Sequence, residues 1–351
     1  MQVILGVIFH FIGGFASGSF YLPYKKIKGW AWESYWIVGG IFSWLFVPLI
    51  AAYLTVPHFL DIIKSTSAST LLYTYIMGLL WGVGGLTFGL AMRYLGLSLG
   101  MSVALGFTSA FGSLVPPIYR DIIGSEQGDT LSAMLNNNGG LMVLLGVVIC
   151  LVGIGICGKA GILKEKELST EEKQVSVKEF NVNKGLFVAI VSGILSACFN
   201  FGIEAGKPMA LEAINRGANL LFQNNVIFVV ILWGGLTSNF IWCMILNARN
   251  KTFGDYTNKS TPLKMNYIFA ALAGTTWFLQ FFFYGMGESK LGNGASSWIL
   301  HMAFIILVSS MWGLILHEWK GVSKKTFRTV VLGIVTIILS VIIVGYGNSL
   351  K

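Results

Sequence analysis

The sequence predicts an all-α polytopic membrane protein of ten transmembrane helices, arranged as two inverted five-helix repeats. Three observations predict it. Of the 351 residues, 55% are hydrophobic and only 11% are charged, with a mean hydropathy of +0.72, whereas a soluble domain carries about 25% charged residues. Apolar runs near the length of about 20 residues that crosses a bilayer core recur along the chain. The apolar/polar alternation of a membrane β-barrel is absent. So few charges cannot cover a water-soluble surface, which excludes a soluble enzyme and a disordered chain. The net charge of +9 comes from Lys/Arg clusters set between apolar segments, so it does not indicate a nucleic-acid partner. The expected surroundings are a lipid bilayer.

The predicted spans are 3–22, 35–56, 71–92, 97–118, 139–158, 185–204, 224–246, 266–286, 295–316 and 327–347. The first reads as a span, because Met1-Gln2-Val3 supplies no positive n-region and the stretch is too long for a signal peptide. Eighteen of the 24 Lys and Arg residues lie in or beside the first, third, fifth, seventh and ninth loops. By the positive-inside rule those loops are cytoplasmic and both termini are outside. The one long hydrophilic stretch, 159–184, carries mixed charge without a core-forming pattern and reads as a solvated cytoplasmic linker. It separates a first five-helix unit, 1–158, from a second, 185–351.

The two units read as repeats. An offset of 179 residues aligns Gly6, Gly14, Ser17 and Phe20 with Gly185, Gly193, Ser196 and Phe199. An offset of 196 aligns Trp81, Gly89, Leu95 and Gly96 with Trp277, Gly285, Leu291 and Gly292. Five spans is an odd number, so the second unit enters the membrane with the opposite orientation. That inverted arrangement belongs to transporters, whose substrate sites lie near the midplane between repeats. Small residues four apart, such as Gly14 with Gly18 and Gly78 with Gly82, allow close helix packing.

Ionisable groups inside a bilayer are costly, by roughly 2.5–3.5 kcal/mol at a helix centre, and so call for a reason. The acids avoid span centres: Glu33 precedes the second span, Glu204 ends the sixth, and Glu288 and Glu318 follow the eighth and ninth. His10 and His301 are the deep titratable groups, and either is a candidate for proton handling or a neutral packed side chain. Glu33 and Glu204 are further proton candidates. Glu33 also reads as a surface ion-pair partner of Lys25, Lys26 or Lys28, and Glu204 as a partner of Lys207. Arg93 and Lys207 close their spans and read as gating or anchoring groups.

Amides supply both donors and acceptors for sugar hydroxyls. Asn200 and Gln280 are the foremost candidates, with Gln223, Asn224 and Asn225 beside them. Trp81 and Trp277, well inside their spans, suit stacking on a pyranose face, as does Tyr284. Trp30, Trp32, Trp36 and Trp319 read instead as interfacial anchors. Cys150, Cys157, Cys198 and Cys243 lie in apolar segments without redox or metal spacing. Neither a P-loop, nor H-E-x-x-H, nor a nucleophile elbow between strand and helix is present, so the chain is not expected to be an enzyme and calls for no cofactor or metal. A transporter powered by a gradient and a non-transporting membrane sensor both fit this composition; the repeat and the deep histidines favour the transporter.

Several strings carry a resemblance. They include His10-Phe11-Ile12-Gly13-Gly14, Phe20-Tyr21-Leu22-Pro23-Tyr24-Lys25-Lys26, Gly89-Leu90-Ala91-Met92-Arg93-Tyr94-Leu95-Gly96, Trp277-Phe278-Leu279-Gln280-Phe281-Phe282-Phe283-Tyr284 and Ser297-Trp298-Ile299-Leu300-His301-Met302. With these, from the first span to the tenth, the chain resembles the bacterial L-rhamnose–proton symporter family of the drug/metabolite transporter superfamily. The resemblance implies uptake of L-rhamnose, or of a related 6-deoxy or pentose sugar, with protons moving inward across the inner membrane. It also implies ten helices with both termini outside. Glu204, Glu288 and Gly294-Ala295-Ser296 depart from the family pattern, which leaves open another deoxy sugar or metabolite as the solute.

Overall fold

A computed structural model of the protein describes residues 1–95, 97–124, 130–167, 182–315, 319 and 321–350. Among the described residues the main helices, in order, are α1 (Gln2–Ser19), α2 (Trp32–Ile41), α3 (Ala68–Leu95), α4 (Leu97–Ile122), α5 (Asn138–Glu167), α6 (Val182–Ala205), α7 (Asn225–Asn250), α8 (Leu263–Leu291), α9 (Gly294–Ile315) and α10 (Lys324–Ser349). The helical path of α2 continues through a π-turn at Phe42–Phe46 to Val47–Thr55. Among the described residues, nine helices are long and apolar enough to cross a membrane. Helix α4 covers the remaining predicted span. No strand occurs among the described residues. Helices are the natural outcome, since each satisfies its own backbone donors and acceptors where no water is available.

The ends of several helices are marked in the sequence. Ser323 caps α10 by accepting from the Thr326 amide at 3.2 Å, and Gly292 ends α8 in the left-handed region, at φ 64°. The charged stretch after 158 differs from the expected linker: α5 continues through Lys159 to Glu167. Its residues Lys164-Glu165-Lys166-Glu167 are good helix formers, and the Glu167 carboxylate has a structural role. It accepts from the amide and hydroxyl of Ser323 and from the Thr326 hydroxyl, each at 2.6 Å, joining the end of α5 to the start of α10. The rest of the predicted linker, 168–181, lies outside the described residues, as do Gly96 and Glu318.

The packing has an order that the chain numbering makes visible. Helix α1 lies against α8 and α9, while α6 lies against α3 and α4. Helix α2 packs on α8, and α7 on α3; α4 packs on α5, and α9 on α10. Helices α5 and α10 run along each other. Moving both members of a pair five helices along the chain gives another pair in the set, except that α5 with α10 returns itself. Glycines set the closest approaches. Gly14 of α1 faces Phe304 and the Ile305 amide of α9, and Gly193 of α6 faces Phe107 and the Thr108 amide of α4. Gly274 of α8 meets the backbone of Gly39, and Gly78 of α3 meets the backbone of Ile231.

Two outcomes follow from these joins. Gly78→Val or Gly274→Val drives a side chain into a neighbouring backbone and should cost about 1–3 kcal/mol, read as a lowered Tm in detergent. Gly89→Ala, with nothing within 4 Å, should leave Tm unchanged or slightly raised. Hydrogen bonds from Ser323 and Thr326 hold the Glu167 carboxyl below its usual value of 4.5. Because the folded value is depressed, the stabilisation is present above that usual value and lost as pH falls through the folded one. Hydrogen exchange at the start of α10 should therefore quicken on acidification, and Glu167→Gln should remove much of that pH response.

Candidate functional site

A cavity of about 260 Å³ sits among α1, α2, α3, α4, α6, α8 and α9. Its lining repeats the offsets read from the sequence. Ser17 and Ser196 both face it, as do Phe20 and Phe199, and Trp81 and Trp277. The two indoles lie 6.4 Å apart at 59°. Phe20 stacks on Trp277 at 4.6 Å, and Phe199 lies 5.1 Å from Trp81. Residues offset by 196 between α3 and α8 also pair, Gly85 with Phe281 and Phe88 with Tyr284. Residues offset by 197 between α4 and α9 do so too, Leu105 with Met302 and Thr108 with Ile305. Aromatic rings of this kind offer flat apolar faces to the C–H face of a sugar, and their edges tolerate polar neighbours.

Polar groups collect on one wall. Gln280 and His301 line the cavity beside Tyr284. His10 lies just behind them, fully buried. The His10 and His301 rings are 6.0 Å apart, and Tyr284 sets its ring edgewise against both, at 5.4 Å and 5.3 Å. Two glycines make room. A Cβ at Gly287 would stand 2.6 Å from Nε2 of His10, and one at Gly13 would stand 3.1 Å from Cε1 of His301. Among the described residues, both ring nitrogens of His10, Nδ1 of His301 and Nε2 of Gln280 have no hydrogen-bond partner. Buried polar atoms without partners cost about 1–3 kcal/mol each, and here four of them stand at one wall of the cavity.

Asn200 adjoins the cavity through Tyr284. Its amide donates to the Gly112 carbonyl at 2.8 Å and its oxygen accepts from the Tyr284 hydroxyl at 3.2 Å. The predicted candidates therefore divide. His10, His301, Asn200, Gln280, Trp81 and Trp277 are brought to one place; Glu33 and Glu204 are not. Glu33 is buried in the first turn of α2 and accepts from Asn250 at 2.9 Å and Thr252 at 2.8 Å, both neutral donors. Asn225 donates to Thr55 at 2.8 Å, away from the cavity. Trp36 was expected at an interface. It lines the cavity instead, and its indole donates to Asn239 at 3.0 Å. The four-residue spacing that stacks Trp32 on Trp36 at 5.0 Å was the available signal. Trp298, also missed, closes the cavity with its indole donating to the Thr108 carbonyl at 2.9 Å.

The acids at the helix ends form a network beyond the polar wall. Glu204 pairs with Arg120 of α4, and Lys207 pairs with Glu288 of α8 at 2.5 Å. Asn224 donates to the second oxygen of Glu288. The expected neighbour pairing of Glu204 with Lys207 is thus replaced by contacts across helices, which long-range packing provides and local spacing does not. Glu288 stands one turn past Tyr284 on α8, so the network caps that end of the cavity. The side chain of Arg93 lies outside the described residues. Lys207→Ala should leave a buried carboxylate short of its charged partner and cost roughly 1–3 kcal/mol. Adding Glu288→Gln should recover most of the lost Tm, as a double-mutant cycle reads.

Comparison with known proteins assigns the family. The family model for the L-rhamnose-proton symport protein matches residues 1–350. An L-rhamnose-proton symporter of Yersinia pestis (strain Pestoides F) is 39% identical over 352 residues, spanning 99% of this chain and 98% of the relative. One of Yersinia pseudotuberculosis serotype O:1b (strain IP 31758) has the same identity and coverage. With a match along its full length and a cavity that joins aromatic faces to a polar wall, the chain belongs to the L-rhamnose-proton symporter family.

Proposed function

We propose that this protein is a secondary transporter carrying L-rhamnose inward with a proton across the bacterial inner membrane, with both termini in the periplasm. One observation carries the reading: a half-open cavity lined by two neighbouring tilted indoles, whose polar wall adjoins two buried histidines. Trp81 and Trp277 offer faces to the C–H surface of a pyranose. Gln280, Tyr284 and Asn200 offer donors and acceptors to its hydroxyls, and Gly85, Phe88 and Leu105 make an apolar wall suited to the 6-deoxy methyl. His10 and His301 take the proton at a ring nitrogen, with Glu33 and Glu204 serving packing and the ion-pair network.

The ten helices act as two inverted repeats, 1–158 and 185–351, joined through 159–184. The exchanged packing pairs and the paired cavity residues support this. Under the orientation set by the Lys/Arg distribution, the Arg120–Glu204 and Lys207–Glu288 pairs lie between the cavity and the periplasm. They must part for the sugar to enter from outside. One proton crossing about 100 mV gains roughly 2.3 kcal/mol, which supports about 40-fold accumulation of sugar.

Proteoliposomes holding a pH dye test this directly. Adding L-rhamnose outside should acidify the interior, and no acidification with bound rhamnose would refute symport. His301→Asn or His10→Asn should retain sugar binding and lower acidification by about tenfold or more. Unchanged acidification in both would move the proton to another group.

A further inference from the structure

We propose that Tyr284 is the positioning residue through which an occupied sugar cavity sets the state of the histidine pair. The inference rests on the symport reading above and deepens it. It starts from a difference between the two walls of the cavity. The offsets that pair the lining residues also name a counterpart for each polar group. His10 corresponds to Ala189, Gln280 to Gly84, Tyr284 to Phe88 and His301 to Ala104. On the second wall Ala104 and Ala189 are fully buried, with Phe88 packed against them, in an apolar cluster. The protonatable arrangement therefore exists once. At the ring shared by both walls, Tyr284 and Phe88 differ by a single hydroxyl.

That hydroxyl has a specific connection. It donates to Asn200 of α6 at 3.2 Å, and Asn200 in turn donates to the Gly112 carbonyl of α4 at 2.8 Å. The ring that carries it rests on both His10 and His301 and lines the cavity. One rigid side chain thus touches the sugar space, both proton-accepting rings and the opposite half of the molecule. The 3.2 Å bond to a neutral amide is long for an O–H donor, so a sugar hydroxyl can replace either partner. When it does, the ring stays fixed between the imidazoles and the O–H turns about its C–O bond, so the hydrogen and lone pairs that the phenol presents to its neighbours change. A proton taken at a histidine nitrogen from one side then gains or loses its acceptor, and it leaves from that nitrogen to the other side. No other bond forms or breaks.

The titratable and charged groups facing the pair are few. α1 contributes His10, α9 contributes His301, and α8 contributes Tyr284, with Glu288 one turn beyond and held by Lys207. α6 and α4 contribute the Glu204–Arg120 pair at that same end.

The test uses the purified full-length chain in proteoliposomes, with labelled L-rhamnose as the probe. Three quantities are read: rhamnose counterflow, rhamnose-driven acidification per sugar, and the ratio of rhamnose Kd at pH 8 and pH 6. Binding and protonation are linked reciprocally, so a coupled protein shows a Kd that changes with pH. For Tyr284→Phe, counterflow falls with the lost sugar contact, whereas acidification per sugar carried, which weaker sugar binding alone leaves unchanged, should fall about tenfold or more. The Kd ratio should flatten toward one. Asn200→Ala breaks the same bond from the other side and should give the same split, so a poorly folding Tyr284→Phe does not end the test. Unchanged acidification per sugar and an unchanged Kd ratio in either folded variant overturn the role of Tyr284 alone. A wild type that exchanges rhamnose without acidification overturns the symport reading, and this inference with it.

Discussion

Within a bilayer no water is at hand, so every polar side chain needs a partner from the protein. That constraint organises the whole molecule. Asn239 bridges the Trp36 indole to the carbonyls of Gly82 and Gly235. Asn266 closes on the backbone of Lys28 through both ends of its amide. Glu33 is held by neutral donors, and Glu204 and Glu288 by bases on other helices. Among the described residues, other buried polar atoms such as the Ser43 and Ser113 hydroxyls and the Trp44 indole nitrogen also lack a partner, but His10, His301 and Gln280 bring theirs together at one wall of the cavity. A polar group left bare in such a place costs free energy in the resting protein, and under the proposed symport an arriving proton or sugar hydroxyl would offset it.

Close backbone approach is what lets such a wall be assembled from distant segments. Gly13 and Gly287 leave space for the two imidazoles, so α1, α8 and α9 can meet tightly around them. Gly78 and Gly274 do the same for the α3–α7 and α2–α8 contacts. Lipid tails are as apolar as leucine, so helices associate here through packing contacts and hydrogen bonds rather than by escape from water. Glycine maximises those contacts. A methyl added at such a point separates two helices and misplaces the rings between them.

Much of this was legible along the chain. Hydropathy locates nine of the predicted spans among the described residues, because each has to be apolar over a fixed length, whereas α4 covers the remaining one but is not among the nine. The offsets of 179 and 196 anticipate that Ser17 and Ser196, Phe20 and Phe199, and Trp81 and Trp277 would share an environment, and all six face the cavity. What stayed hidden depended on helix rotation and on contacts between remote segments. Nothing local to Trp36 says which way its indole turns. Glu204 has Lys207 three residues away, yet its partner is Arg120, 84 residues earlier. The fit of His10 against Gly287 joins positions 277 residues apart, and no short pattern announces it. The helical continuation of α5 past Lys159 was written in its helix-forming residues, but their charge masked it.

The difference between the two walls bears on how coupling works at all. In an inverted repeat, the inward-open and outward-open states arise when the two halves exchange conformations. If both halves carried the same titratable groups, the exchange would return an equivalent set of surroundings to the proton. Coupling itself rests on the sugar and the proton favouring each other's binding, and under the proposed symport a proton site broken out of the repeat ties that linkage to one wall of the cavity. The packing and the lining agree with such an arrangement. Phe107 with Gly193 and Phe304 with Gly14 keep the helix contacts alike, while Ala189, Ala104 and Phe88 stand where His10, His301 and Tyr284 would otherwise be repeated. Under the proposed symport, one set of imidazoles would meet two environments in turn while sugar and proton cross together.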